Sequence, residues 1–176
     1  YFEDRLTSPF IAPQDISEYL TKPHDYNKNI PENLMLLAGD NLLELLSEAI
    51  RQASQMSLPI DAWNKVMKWL HDFIRIAYDS TEKSDLIVFA DCNPSFSIYT
   101  QIALASCDSL IIPYTADDSS RRGIENVFAL LYGITADELQ GYAKLSFSRK
   151  AVEEGVPIPR IHTFVSNRVT MYKGKP

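Results

Sequence analysis

The sequence predicts an α/β fold with a doubly wound, mostly parallel sheet that carries helices on both faces. From residue 85 onward, short apolar stretches alternate with stretches of helical periodicity, as expected for a parallel sheet with crossover helices. The run Leu86–Ala90 is apolar without interruption, which is typical of a strand buried on both faces. Hydrophobic residues at 45% and charged residues at 23% are ordinary values for a globular domain.

The first half of the chain is predicted to be mainly helical. Residues 1–28 are rich in Pro, Asp and Ser and predict an irregular lead-in with a short helix at 15–20, before an α/β core at 29–176. Asn33–Leu37 predicts a short buried strand, and Asp40 offers an N-cap for the helix that follows. A second amphipathic helix is predicted at 61–78, with Trp63 and Trp69 on its apolar face.

The second half supplies the sheet. The predicted elements are, in order, a strand at 85–91, a helix at 95–106, a strand at 109–114, a helix at 121–132, a helix capped by Thr135 and Glu138, and a strand at 161–165. The chain is therefore interpreted as one α/β domain over residues 1–176.

Charge is distributed unevenly along the chain. The net charge is −6, yet residues 141–176 hold seven basic residues against two acidic ones, a balance of +5. Such a basic end indicates either an edge that faces an anion or nucleic acid, or an ordinary solvated face. No apolar run approaches the ~20 residues that cross a bilayer, so stable membrane insertion is not expected.

The cysteines and histidines do not form a recognisable site. Cys92 and Cys107 lie in apolar surroundings without metal-ligand spacing, which predicts two buried thiols in a reducing cytosol. His24, His71 and His162 are scattered and lack a nearby nucleophile, so a hydrolase triad has no support.

Asp91 is the strongest candidate for chemistry. It directly follows the apolar run, and ligands of open parallel sheets bind beyond the carboxyl ends of the strands. A carboxylate there can hold hydrated Mg²⁺ beside nucleotide phosphates, although an aspartate in this place often only caps the next helix.

The sequence around Asp91 resembles the ParA/MinD family of P-loop ATPases. Members have a Walker B strand ending in Asp-Cys-Pro-Pro-Ser, and residues 91–95 read Asp-Cys-Asn-Pro-Ser. Residues 108–113 match the family's next strand, and Gly123 falls where its helix glycine does. Asn93 departs from the pattern, in the loop that senses the γ-phosphate.

The resemblance implies roles for further residues. Asp91 would be catalytic and hold Mg²⁺ through water. Residues 162–169 are similar to a strand ending in Asn-Arg, so Asn167 would contact adenine, with Pro94 and Arg168 beside the nucleotide. Five basic residues are expected to contact DNA phosphates: Arg149, Lys150, Arg160, Lys173 and Lys175.

A Gly-rich phosphate-binding loop with two lysines belongs to the same family, and the six glycines of this chain are all isolated. We therefore expect this sequence to be a fragment that does not hydrolyse ATP alone, with the loop upstream of Tyr1. Without the strand that leads into that loop, Leu86–Ala90 is expected to leave an unpaired edge.

The function implied by the resemblance is partition of a plasmid or chromosome. It implies ATP and Mg²⁺ as cofactors, a homodimer, non-specific DNA binding on the nucleoid in the cytoplasm, and hydrolysis stimulated by a ParB-like centromere-binding protein. Two alternatives stay open: a MinD-like ATPase that positions machinery at a membrane, and a nucleotide-free interaction module on the same fold.

Overall fold

The fold is that of a computed structural model, which describes residues 1–39, 43–81, 85–92, 97–133 and 147–167. The chain forms two compact units, residues 1–89 and residues 90–176. They are called the N-terminal unit and the C-terminal unit below.

The N-terminal unit is helical. Its helices are α1 (Phe2–Thr7), α2 (Leu43–Ser54), α3 (Ala62–Met67) and α4 (Trp69–Ser80). Two short 3₁₀ turns, Ser17–Tyr19 and Pro23–Asp25, lie between α1 and α2. The single helix expected at 61–78 is divided at Lys68, and the short helix expected at 15–20 is only a 3₁₀ turn.

The core of the N-terminal unit forms where α2 packs against α1 and α3. The apolar residues of these helices recur at helical spacing, so each helix buries one face. Trp63 and Trp69 are both buried, which confirms their predicted place in the core. The other buried apolar side chains of this unit are Ile16, Ile50, Ala53, Ala62, Val66, Met67 and Phe73.

A buried arginine ties α1 to α4. Arg5 is only 4% exposed; its Nη1 atom donates to Asp72 Oδ2 at 3.1 Å, and its guanidinium lies 5.2 Å from the centre of a Trp69 ring. The Tyr1 hydroxyl donates to the Trp69 carbonyl, and burial raises the pKa of Tyr1 to about 12. The Trp69 indole in turn donates to the Pro9 carbonyl at 2.7 Å.

Two of the predicted strands are wrong. Asn33–Leu37 makes only an isolated antiparallel bridge between Leu36 and Thr21, and its apolar side chains are largely exposed. The run Leu86–Ala90 forms no strand, and Ile87 and Phe89 are 79% and 83% exposed. A strand needs a neighbour for its backbone hydrogen bonds, and no described segment pairs with this run.

The C-terminal unit is α/β, as the sequence predicts. Within the residues that the structure describes, its elements are α5 (Ile98–Leu104), β1 (Ser109–Tyr114), α6 (Asp118–Tyr132), α7 (Phe147–Glu153) and β2 (Arg160–Ser166). β1 and β2 pair in parallel, which confirms the parallel sheet; within the described residues the sheet has these two strands. The register shifts between Leu110 and Ile111, which marks a bulge.

Helix α6 covers part of the sheet and packs against β1 and α7. Leu130 and Leu131 of α6 are buried with Ile112 of β1, whereas Ile111 on the opposite face of β1 is exposed. β1 is therefore half-buried and not buried on both faces. Gly133 ends α6 in the left-handed conformation, at a φ of 64° that favours glycine, and its amide donates to the Ala129 carbonyl.

The cysteines differ from the sequence prediction. Cys92 is exposed and Cys107 is half-buried, and both are free thiols. Cys92 follows the exposed run, so it loses the burial that a buried strand would have given it. Desolvation by neighbouring atoms nevertheless raises the pKa of both thiols above the usual value. The helix predicted from Thr135 lies outside the described residues.

Candidate functional site

The carboxyl ends of β1 and β2 meet at one edge of the sheet because the strands are parallel. Tyr114 ends β1 and Asn167 follows β2 directly. The backbone amide of Asn167 donates to the Tyr114 carbonyl at 2.7 Å. The structure thus places the sequence-predicted base contact beside the loop that leaves β1, at the edge where open parallel sheets bind ligands.

A cavity of about 630 Å³ lies at this loop. Its walls come from the end of β1, the connecting loop and the first turns of α6: Tyr114, Thr115, Ala116, Asp117, Asp118, Ser120, Arg121 and Ile124. It is an open depression on the surface of the unit and not an enclosed pocket.

Three hydroxyl and carboxylate side chains hold this loop in one conformation. Ser120 donates its amide to Asp117 Oδ1 at 2.8 Å, which caps α6, and the Thr115 hydroxyl donates to the other oxygen of Asp117. The Thr115 amide donates to the Ser120 hydroxyl at 2.9 Å. The wall of the cavity is therefore fixed before any ligand binds.

The charge at the cavity disfavours an anion such as a phosphate. Hydrogen bonds from Thr115 and from the Ser120 amide hold the pKa of Asp117 below its usual value, so this carboxylate is ionised at neutral pH. Asp118 adds a second carboxylate to the first turn, and Arg121 is paired with Asp118 and Glu125. The carboxylates occupy the positive end of the helix dipole that an incoming phosphate would use.

Asp91 lies in the exposed segment 85–92, which has no regular secondary structure. Its carboxylate is accessible to solvent, so its oxygens are available as ligands of the type that a hydrated Mg²⁺ prefers. Because the preceding run does not form a strand, the backbone does not fix this carboxylate at a strand end as the sequence predicts. Among the described residues, no three His, Cys, Asp or Glu side chains form a metal-binding group.

The predicted DNA contacts fall in different surroundings. Arg149 and Lys150 lie on α7 and pair with Glu153 at 2.8 Å and Glu154 at 3.7 Å. Arg160 is exposed at the first position of β2. The other two predicted DNA contacts, Lys173 and Lys175, lie outside the described residues. The same holds for three residues of the predicted nucleotide site: Asn93, Pro94 and Arg168.

Sequence reasoning missed Thr115 and the contacts that Asp117 makes in this loop. The Asp-x-x-Ser spacing at 117–120 signals a cap, but it does not show that the same carboxylate also binds the hydroxyl of Thr115. That contact depends on the turn between β1 and α6.

A scan against protein-family models matches an AAA domain over residues 6–140. The chain belongs to this AAA-domain family. Since the match spans most of the chain, the domain is a P-loop ATPase type related to ParA and MinD, as the Asp91 motif indicates. Searches found no curated protein and no solved structure that matches the chain.

Family membership carries general consequences for this AAA domain. Proteins of the P-loop ATPase type bind a nucleotide together with Mg²⁺. Within the part of the chain that the structure describes, no helix is long and apolar enough to span a membrane.

Proposed function

We propose that this AAA domain belongs to a ParA-type ATPase that segregates a plasmid or chromosome. The observation that carries the proposal is the Asp-Cys-Asn-Pro-Ser motif at 91–95 within a chain whose family match covers residues 6–140. The motif is followed by a helix, a strand and a second helix, in the order that the ParA-type resemblance implies.

Each side chain has a definite part in this proposal. Bound Mg²⁺ supplies charge neutralisation and orientation for the phosphates. Asp91 holds the water shell of that ion, which needs few protein ligands. Asn167 contacts adenine through its amide, which can both donate and accept a hydrogen bond. The cavity beside Tyr114 receives the base and ribose, in line with its fixed wall and its carboxylates.

The DNA-binding part of the proposal rests on charge. The +5 balance of residues 141–176 suits phosphate contacts that release counterions without reading sequence. We further propose that ATP drives formation of a homodimer and that a ParB-like partner stimulates hydrolysis.

The test is turnover of Mg-ATP by the native gene product, alone and with non-specific duplex DNA and its candidate partner. The expected result is slow hydrolysis that needs Mg²⁺ and rises when partner and DNA are both present. Absence of ATP binding by equilibrium dialysis would favour a nucleotide-free interaction module instead. Stimulation by anionic lipid vesicles in place of DNA would favour a MinD-like positioning ATPase.

A further inference from the structure

One peptide unit at the end of β1 connects helix α6 to Asn167. It contains the Tyr114 carbonyl and the Thr115 amide, which belong to the same peptide bond. The carbonyl accepts from the backbone amide of Asn167 at 2.7 Å, and the Thr115 amide donates to the Ser120 hydroxyl at 2.9 Å. Because a peptide unit is planar, a contact that fixes its N–H also fixes the direction of its C=O. The Ser120 hydroxyl therefore orients the carbonyl that holds Asn167.

The Ser120 hydroxyl is itself held by the neighbouring loop. The Thr115 hydroxyl donates to Asp117, since an ionised carboxylate can only accept. The Ser120 and Thr115 hydroxyl oxygens lie 2.9 Å apart, so Ser120 is the donor of that pair and keeps its own oxygen as the acceptor for the Thr115 amide. The backbone amide of Ser120 donates to Asp117 at 2.8 Å. Each proton of this network thus has one acceptor.

Burial makes the hydroxyl of Ser120 difficult to replace by water. Ser120 and Thr115 are half-buried, whereas Asp117 and Ser119 beside them are exposed. A partly buried amide that loses its acceptor pays for its incomplete solvation, so the backbone around it rearranges to find another partner. Removal of the Ser120 hydroxyl consequently releases the peptide unit that holds Asn167.

We propose that Ser120 is a positioning residue for recognition of the nucleotide base. Its hydroxyl fixes the peptide unit 114–115, this unit fixes the backbone of Asn167, and the Asn167 side chain contacts the base. Ser120 itself does not touch the nucleotide. The inference rests on the proposed function, because it takes Asn167 as the contact for adenine. Preference for adenine then depends on a side chain of α6 as well as on Asn167.

Hydrogen exchange of the Asn167 amide, followed by NMR on the native gene product without nucleotide, tests the structural step. We expect this amide to exchange about tenfold or more faster in Ser120→Ala, because the Tyr114 carbonyl is no longer held. The other amides that pair β1 with β2 should stay within about twofold of wild type. Ser120→Thr keeps a hydroxyl and should keep the protection of Asn167.

Ser119→Ala is the matched control, since it makes the same change at the exposed neighbouring position. It should leave exchange of the Asn167 amide within about twofold of wild type. Equal exchange of this amide in Ser119→Ala and Ser120→Ala would overturn the proposal.

Titration with fluorescent ATP and GTP analogues tests the effect on recognition. Ser120→Ala should reduce the preference for ATP over GTP about threefold or more, whereas Ser119→Ala and Ser120→Thr should keep it within about twofold. A general loss of stability would weaken both nucleotides alike and would not change this preference. Loss of the preference in Asn167→Ala but not in Ser120→Ala would overturn the inference and leave the proposed function in place.

The double variant Ser120→Ala/Asn167→Ala tests whether Ser120 acts through Asn167. If it does, adding Ser120→Ala to Asn167→Ala changes the ATP affinity by less than about twofold. Additive losses would contradict the proposal, because Ser120 would then act by another route. A wild-type protein that binds neither nucleotide contradicts the proposed function itself, whatever the exchange rates are.

Discussion

The side chain of Asp91 is exposed in a segment without regular secondary structure, so its replacement by asparagine removes a charge without opening a cavity. We expect Asp91→Asn to lower Mg-ATP turnover of the native gene product by about 100-fold or more, since the ion's water shell loses its carboxylate. The Tm should change by no more than about 1 °C.

Asp85→Asn is the matched control, because Asp85 lies exposed at the other end of the same segment. It should leave turnover within about twofold of wild type. Equal losses from the two substitutions would mean that the segment tolerates no change, and that Asp91 has no special part in turnover.

Asn167 is the proposed contact for the adenine base. Its backbone amide is already bound to the Tyr114 carbonyl, so Asn167→Ala removes the side-chain amide and leaves that backbone contact available. We expect ATP to bind about three- to tenfold more weakly, the value of one hydrogen bond, with preference over GTP reduced. Fluorescent-nucleotide titration measures both; unchanged preference would exclude Asn167 as the base contact.

The sequence predicted these two side chains because each belongs to a short motif. It could not predict Thr115, whose hydroxyl reaches Asp117 only through the conformation of the loop after β1.

At the scale of elements, the contact between α1 and α4 depends on a buried charge. Arg5→Ala removes the partner of Asp72 and the group packed on Trp69. We expect the free energy of unfolding of the N-terminal unit to fall by about 3 kcal/mol, because a partly buried carboxylate is left unpaired. Chemical denaturation followed by Trp fluorescence measures it.

Arg75→Ala provides the comparison, since Arg75 is exposed on the same helix α4. It should change the stability by about 0.5 kcal/mol or less. A loss from Arg5→Ala no greater than this would show that the Arg5–Asp72 pair does not hold α1 in place.

The cap of α6 predicts a dependence of stability on pH. The folded-state pKa of Asp117 is depressed, so the carboxylate stabilises the fold above its unfolded pKa, and this contribution is lost as pH falls through the folded pKa. The Tm advantage of wild type over Asp117→Asn should therefore shrink below about pH 4. Thermal unfolding between neutral and acid pH tests this; a gap that stays constant would contradict it.

Helical periodicity predicted α2 and α6 well, because an amphipathic helix satisfies its own backbone and needs only one apolar partner. Composition and periodicity could not predict whether the run Leu86–Ala90 forms a strand. Its composition suits a buried strand, but a strand also requires hydrogen bonds from a neighbouring segment, which the described chain does not provide.

At the scale of the whole molecule, the charge asymmetry predicts how the protein responds to salt. Arg160 is exposed, whereas Arg149 is paired with Glu153. Arg160→Gln should reduce the slope of log affinity for duplex DNA against log salt by about one, and Arg149→Gln by less. Fluorescence anisotropy at several salt concentrations measures the slopes; an unchanged slope for Arg160→Gln would exclude that residue from the DNA surface.

The α/β class and the parallel sheet follow from the alternation of elements in the second half, since that order leaves few topologies. The boundary between the two units, at Phe89 and Ala90, could not be predicted from the sequence. It falls inside an apolar run that predicts one continuous strand.

We propose that this AAA domain couples ATP binding to DNA binding. The most direct measurement is retention of the native gene product on non-specific duplex DNA with Mg-ATP, with Mg-ADP and without nucleotide, at several salt concentrations. We predict retention that is at least about tenfold stronger with Mg-ATP and that weakens steeply with salt. Equal retention under the three nucleotide conditions would contradict the claim.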